Sequence, residues 1–259
     1  MITWILDKHV DKVRGSATPF EAEAARRGHM VHALRDSLIP QTVDVSHITC
    51  EPVTIVRGSH GFVNLVHRQL DPQPGGFVHA SNFSMDTYVP ILQDLCLNVN
   101  YQVVTFGDFL THRHTFKGDL FVKPLEDIKQ FNGLIIKHQQ EIGDAHYTKF
   151  RKWFRPSDTC KIAVCAAQQI GAEYRVVVVN QQVITGSHYK VELGAAPDCV
   201  LAFVNQITPL WNPTLVYVVD VAETPLGYKI VEYNQFGTSG MYACDQDLIL
   251  DALEQLYSV

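Results

Sequence analysis

The sequence predicts an α+β protein with a small α/β unit at its N-terminus, and two patterns carry that expectation. Apolar strand-like segments alternate with helical ones over the first third, the order that builds a parallel sheet covered on both faces. Beyond it, strand pairs joined by short turns dominate, as in antiparallel hairpins packed with helices. A third observation bounds both. Nowhere do the 259 residues approach the roughly 18 consecutive apolar positions that a membrane helix needs. A boundary is expected near residue 95, giving units 1–95 and 96–259, the second subdivided at about 96–167 and 168–259.

Taken in order, Ile2 to Leu6 is an apolar strand. Thr18-Pro19-Phe20-Glu21 has the capping-box pattern with proline at the first helical position, and Gly28 ends that helix. Val31 to Leu34 and Val53 to Val56 read as strands, and Ser59 caps a helix through about Gln69. Gly75-Gly76 opens another short strand, and Ser84 to Leu95 reads as a helix. Leu120 to Lys123 and Leu134 to Lys137 are short strands, followed by a charged helical stretch ending near Phe154. After the apolar strand Lys161 to Ala167 comes a hairpin, Glu173 to Val179 and Gln182 to Thr185, turning on Asn180-Gln181. Pro197 to Ile207 is helical. A second hairpin pairs Leu215 to Ala222 with Tyr228 to Tyr233 across Thr224-Pro225-Leu226-Gly227, and Asp245 to Tyr257 closes as an amphipathic helix.

Bulk chemistry excludes some functions. A net charge of -6 opposes broad contact with a nucleic-acid backbone, and the one basic cluster, KFRKWFR over 149–155, reads as a solvated helix end. The start, MITWILDKHVDK, lacks a small-residue cleavage site, so a cytoplasmic location is expected. The six cysteines have neither metal nor redox spacing; Cys160 and Cys165 read as reduced core residues. His112-Arg113-His114 has a strand-pair metal spacing but no third ligand nearby, and is expected in a surface loop. No convincing Ser–His–Asp or Cys–His set is present.

The chemistry concentrates in KIVEYNQFGTSGMY, residues 229–242. Strand alternation puts Glu232 and Asn234 on one face. If paired positions sum to an even number near 450, Asp220 shares that face, about 7–8 Å diagonally from Glu232. Three such oxygen donors suit Mg²⁺ on a nucleotide triphosphate; the other reading is a solvent-facing strand. Lys123, at the end of the strand in Phe121-Val122-Lys123-Pro124, would present its ammonium to phosphate. Glu173 and Arg175 share a strand face, and arginine holds phosphate bidentately. Arg57-Gly58-Ser59 ends an N-terminal strand, where open α/β sheets take ligands; Arg57 would meet a substrate carboxylate or else serve structure. His188-Tyr189-Lys190 ends the first hairpin and opens toward the site, and Thr238-Ser239-Gly240 offers backbone donors and hydroxyls.

The ordered set FVKP, QFNGLII, EYRVVVV, VVD and VEYN, ending in GTSGMY, resembles the ATP-grasp superfamily in outline over the whole chain and most closely from about Lys123 to Tyr242. It is most similar to a branch of small ATP-grasp proteins of phage and bacterial genomes. The resemblance implies two α+β subdomains sandwiching a nucleotide, preceded by a small α/β domain. It also implies an ATP- and Mg²⁺-dependent ligase joining a carboxylate to an amine through an acyl phosphate, with release of ADP. Lys123 would contact the phosphates, Arg175 the γ-phosphate or acyl phosphate, and Asp220, Glu232 and Asn234 the metal. Gln168, Gln169 and Ile170 would form the hinge against adenine, and Lys190 matches a basic residue near the phosphates. The usual glycine-rich flap is replaced by LEDIKQFNG, so Lys129 is expected to help cover them. Ser59, His188, Tyr189 and Ser239, with Arg57, would face the acceptor, which is a small molecule, peptide or protein. An ATP-grasp phosphotransferase and a nucleotide-binding interaction protein without turnover are the alternatives.

Overall fold

The computed structural model describes residues 1–7, 20–34, 43–49, 51–70, 80–126, 131–138, 156–189 and 194–258. The expected cap at Thr18-Pro19, strand at Gly75-Gly76, charged helix before Phe154, Lys129 and Lys190 lie outside these residues. Among the described residues three sheets form. The first is parallel, in the order β2 (Met30–Leu34), β1 (Thr3–Asp7), β3 (Thr54–Arg57). Its strands are separated by α1 (Phe20–Arg26) and followed by α2 (His60–Gln69), as the alternation of segments predicts. The second sheet is antiparallel, ordered β4 (Tyr101–Thr105), β7 (Lys161–Ala166), β5 (Leu120–Pro124), β6 (Leu134–Ile136). The third is antiparallel as well: β11 (Gly227–Gln235), β10 (Val216–Thr224), β8 (Glu173–Val179), β9 (Gln182–His188). Sheets and helices together make the α+β architecture.

The valine run of β8 is buried on both faces because the third sheet lies between two cores. On one face Val176, Val178, Val219 and Tyr233 pack with α5 (Asp198–Ile207) and with Met85, Tyr88, Val89 and Leu92 of α3 (Met85–Leu92). On the other, Val177, Val179, Val216 and Val218 join Trp4 and Leu6 of β1 and Ile249, Leu250 and Leu253 of α6 (Gln246–Tyr257). The chain thus enters the third sheet's core with α3, before residue 95. An ion-pair fan ties the two ends: Arg27 reaches Glu23, Asp247, Asp251 and Glu254. The second sheet has its own core, where Phe106 and Phe109 of α4 (Phe106–His112) cover Leu120, Val122, Ile162 and Val164.

Several sequence expectations shift. Tyr101–Thr105 and Phe106–His112 form a strand and a helix that the apolar pattern did not announce. The strand is an edge with Gln102 and Val103 exposed, so its alternation is blurred. The helix had a usable signal, Thr105 capping Asp108. His112 therefore ends a helix and Arg113 begins a 3₁₀ turn, in place of a loop. The helix from Ser84 stops as α-helix at Leu92, because Gln93 adopts a positive φ of 43°, and continues as a 3₁₀ turn to Leu95. Among the described residues no helix is long and apolar enough to cross a membrane.

Gly58 fixes how the first sheet meets the third. Its N–H donates to the Gly237 carbonyl at 2.8 Å, in the turn after β11. A Cβ there would lie 2.6 Å from both Asp7 Cβ and the Phe62 ring. Gly58→Ala should therefore cost about 1–3 kcal/mol through overpacking. Urea denaturation checks this, and an unchanged midpoint would mean that the approach of β3 to α2 is looser than described.

Candidate functional site

The third sheet lines up three of the expected residues by register. Asp220 pairs with Arg175 on one side and Glu232 on the other. The pairing with Glu232 is direct, not diagonal, because paired positions sum to 452 at that point. The register then shifts between Asp220 and Val221, leaving Val231 as the extra residue of a β-bulge. Strict alternation would turn Val231 away from Glu232; with the bulge both line the same cavity.

Arg175 forms a fork–fork pair with Asp220. Nε donates to Oδ1 and Nη2 to Oδ2, both at 2.8 Å, and Nη1 donates to the Gly240 carbonyl at 2.9 Å. Asn234 Nδ2 donates to Asp220 Oδ2 at 3.0 Å. Burial pulls the guanidinium's pKa down, but the Asp220 carboxylate outweighs it and raises that pKa above the ordinary arginine value. From the second sheet, Lys123 Nζ reaches Glu232 Oε2 at 2.6 Å. These residues surround a cavity of about 560 Å³ between the second and third sheets, closed on a third side by Ser59 and His60 at the start of α2. Both cations of the described lining are thus paired with a carboxylate, Lys123 with Glu232 and Arg175 with Asp220, while Glu126 and Glu173 add further carboxylates. Among the described residues no three His, Cys, Asp or Glu side chains gather at one point, so a metal here depends on Asp220, Glu232 and the Asn234 amide. Two carboxylates and an amide on adjoining strands are hard oxygen chemistry, and they fit Mg²⁺.

Other expected residues divide by position. Glu173, Tyr189 and Ser239 line the cavity. Ser59 does too, while its hydroxyl accepts from the Phe62 N–H as the helix cap. Arg57 does not. It is buried with its guanidinium between the rings of Phe20 and Phe236, 4.4 and 5.1 Å away, and Nη2 donates to the Ser239 carbonyl. It therefore serves the joint between sheets, where two ring faces and a carbonyl hold the guanidinium. His188 lies outside this cavity with its ring edge-on to Tyr174. Gln168 and Gln169 line a second cavity of about 730 Å³ with Cys96, Cys165 and the tip of the β10–β11 turn, whereas Ile170 lines neither. Burial pushes the thiols of Cys96 and Cys165 up to about 12 and about 11, so both are protonated at neutral pH.

Sequence reasoning missed His60, Phe121, Phe131, Val231 and Tyr242 as lining residues. Phe121 was within reach, two positions from Lys123 on the same strand face. Tyr242 closes the quoted GTSGMY segment. Val231 was not, because no composition signal marks the bulge.

A cavity of this size between two antiparallel sheets, with paired acids and cations in its lining, is an arrangement that an ATP-grasp fold provides. The chain belongs to the ATP-grasp domain, R-2-K clade family 2, whose family model matches residues 101–252. Comparison with curated protein sequences finds no match. Among solved structures, D-cycloserine synthetase DcsG is similar at 14% identity and a TM-score of 0.61, covering 99% of both chains. A RimK domain ATP-grasp protein from Sphaerobacter thermophilus DSM 20745 has 14% identity and a TM-score of 0.58, covering 97% of this chain and 99% of its own. D-alanine–D-alanine ligase from Bacillus anthracis, complexed with ATP, has 12% identity and a TM-score of 0.58, covering 100% and 99%. At these identities the likeness is one of fold.

Proposed function

We propose that this protein is an ATP- and Mg²⁺-dependent ligase that joins a carboxylate to an amine through an acyl phosphate and releases ADP. The observation that carries the reading is the convergence of Lys123, Arg175, Asp220, Glu232 and Asn234 on one cavity. A scaffold without turnover has no need of all five, two of them cations buried beside carboxylates. The fold shared with a D-alanine–D-alanine ligase in complex with ATP adds support by analogy.

The chemistry follows from leaving groups. A carboxylate oxygen attacks the γ-phosphorus and ADP departs with the bridging oxygen's electrons. The amine nitrogen then attacks the acyl carbon, phosphate departs, and the nitrogen loses a proton. Transfer of this kind needs positioning and charge neutralisation, not a protein nucleophile. Lys123 would supply a compact charge to the phosphates and Arg175 a planar fork to the transferring group. Asp220, Glu232 and Asn234 would hold Mg²⁺, which neutralises phosphate charge when bound. Glu173 would bind the nucleotide from the start of β8. The backbone of Gln168 to Ile170 would meet adenine, with the second cavity beside it. Lys129 and Lys190 complete the proposed cationic set. Ser59, Tyr189 and Ser239, which line the cavity, would face the acceptor. A cytoplasmic setting, where ATP is abundant, suits this reading.

The test uses hydroxylamine as the amine, with amino acids and short peptides as carboxylates, in the presence of ATP and Mg²⁺. Hydroxamate formed in equal amount with ADP supports the ligase. A phosphate ester on an acceptor lacking a carboxylate would assign a phosphotransferase instead. Nucleotide binding with no product on any acceptor would make it a binding protein.

A further inference from the structure

The guanidinium of Arg175 has two contacts that the phosphate chemistry does not require. Its Cζ lies 4.9 Å from the Tyr189 ring centroid and 5.1 Å from that of Tyr242. The two rings meet edge to face, with centroids 5.0 Å apart. They come from different elements. Tyr189 follows β9 and its N–H donates to the Glu173 carbonyl at 2.7 Å. Tyr242 lies in the turn before α6 and has φ +50°, a left-handed conformation that is costly for a bulky residue and persists only where its surroundings impose it. They do so here. Met241 and Cys244 are buried in the core shared with β1 and α6, the Ala243 N–H donates to Ser187 Oγ, and the Asp245 N–H donates to Thr185 Oγ1. The turn is held strained at the one place that sets the Tyr242 ring against Arg175.

The reason lies in Asp220, which has two claimants. Both its oxygens are taken by Arg175, yet it is also one of the two carboxylates assigned to the metal in the proposed function. Once Asp220 turns to a cation, its hold on Arg175 weakens, and a guanidinium kept in place by that pair alone would swing away. We propose that Tyr189 and Tyr242 are positioning residues, an aromatic clamp that keeps the Arg175 guanidinium aimed at the γ-phosphoryl group while Asp220 changes partner. This rests on the nucleotide reading given above. It gives Tyr189 a role through Arg175 in place of direct acceptor contact. Aromatic faces suit the task, since they attract a cation without competing for the N–H groups that phosphate needs.

The clamp acts on the γ-phosphate, so the test is discrimination between nucleotides with and without one. Affinities for ADP and for the non-hydrolysable imido analogue of ATP, both with Mg²⁺, are measured by calorimetry on wild type and on Tyr189→Leu, Tyr242→Leu, Tyr189→Phe and Tyr242→Phe. Each leucine variant should lose about fivefold in affinity for the imido analogue, the size of a moderately desolvated cation–π contact, with ADP affinity unchanged. The phenylalanine variants keep the ring face, losing only the hydrogen bond between the two hydroxyls, and should stay closer to wild type than to the leucine variants. Equal losses for both nucleotides, no loss, or phenylalanine variants as weak as leucine would each overturn the clamp. If Tyr242→Leu does not fold, Tyr189→Leu, whose backbone is unstrained, decides. Wild type that binds neither nucleotide would remove the nucleotide reading itself, a result distinct from loss of the clamp.

Discussion

Asp220→Ala should lower stability by about 3–5 kcal/mol, the largest effect expected from a single substitution in the site. The Arg175 and Asp220 side chains are 5% and 6% exposed, so both charges are largely withdrawn from water. Removing the carboxylate strands the guanidinium against ring faces and one carbonyl, and takes the acceptor from Asn234 Nδ2 as well. The cost is that of a buried charge left uncompensated, not of the pair's net contribution. The double variant Asp220→Ala, Arg175→Met should therefore recover most of the loss, because removing both charges avoids the desolvation penalty. Urea denaturation of the two variants beside wild type measures both values. A loss below about 1 kcal/mol for the single variant, the range of an exposed pair, would mean that water reaches Arg175 in solution.

Glu232→Gln should leave the fold intact and remove the Mg²⁺-dependent part of nucleotide binding. Glu232 is 23% exposed at its side chain, and its bond from Lys123 can be kept by the glutamine oxygen. The structural cost should thus stay near ~1 kcal/mol. The binding cost is larger for two reasons. A hard cation loses one of two anionic ligands. In addition, Lys123 and Glu232 neutralise each other in the free protein, so phosphate and metal each release the other's partner, and binding of one favours the other. Nucleotide at 100 times its dissociation constant adds about 2.7 kcal/mol to the wild-type protein. That shift should depend on Mg²⁺ in wild type and be insensitive to Mg²⁺ in the variant. A variant that keeps the full Mg²⁺-dependent shift would take Glu232 out of the metal site.

The hairpin carrying the site was legible because its signals are local. Thr224 to Gly227 marks the turn, and the length of the flanking β-forming runs fixes register to within one step. Glu232 and Asn234 then fall on one face by period two alone, whereas Asp220 joins them only in the even register that the fold adopts. The β8–β9 hairpin was read from Asn180-Gln181 in the same way, and both residues do adopt positive φ, 48° and 65°. The parallel order of the first sheet followed from alternating strands and helices. Where local signals are weak, the reading failed. β4 is an edge strand that half faces solvent, and α4 is seven residues long with too few turns to display a stripe.

By itself the sequence determined most of the elements, the two hairpins and, through motifs each a few residues long, the family to which the chain belongs, since each of these signals is local. Only the tertiary structure decided which charges meet. Lys123 and Glu232 are 109 residues apart and Arg175 and Asp220 are 45 apart, and nothing in either strand states its partner. Arg57 shows the same limit, because Phe20 and Phe236, which enclose it, come from opposite ends of the chain. The bulge at Val231 and the strained turn at Tyr242 are likewise imposed by packing. Period and propensity are short-range, whereas the pairing of buried charges depends on which surfaces the whole fold removes from water.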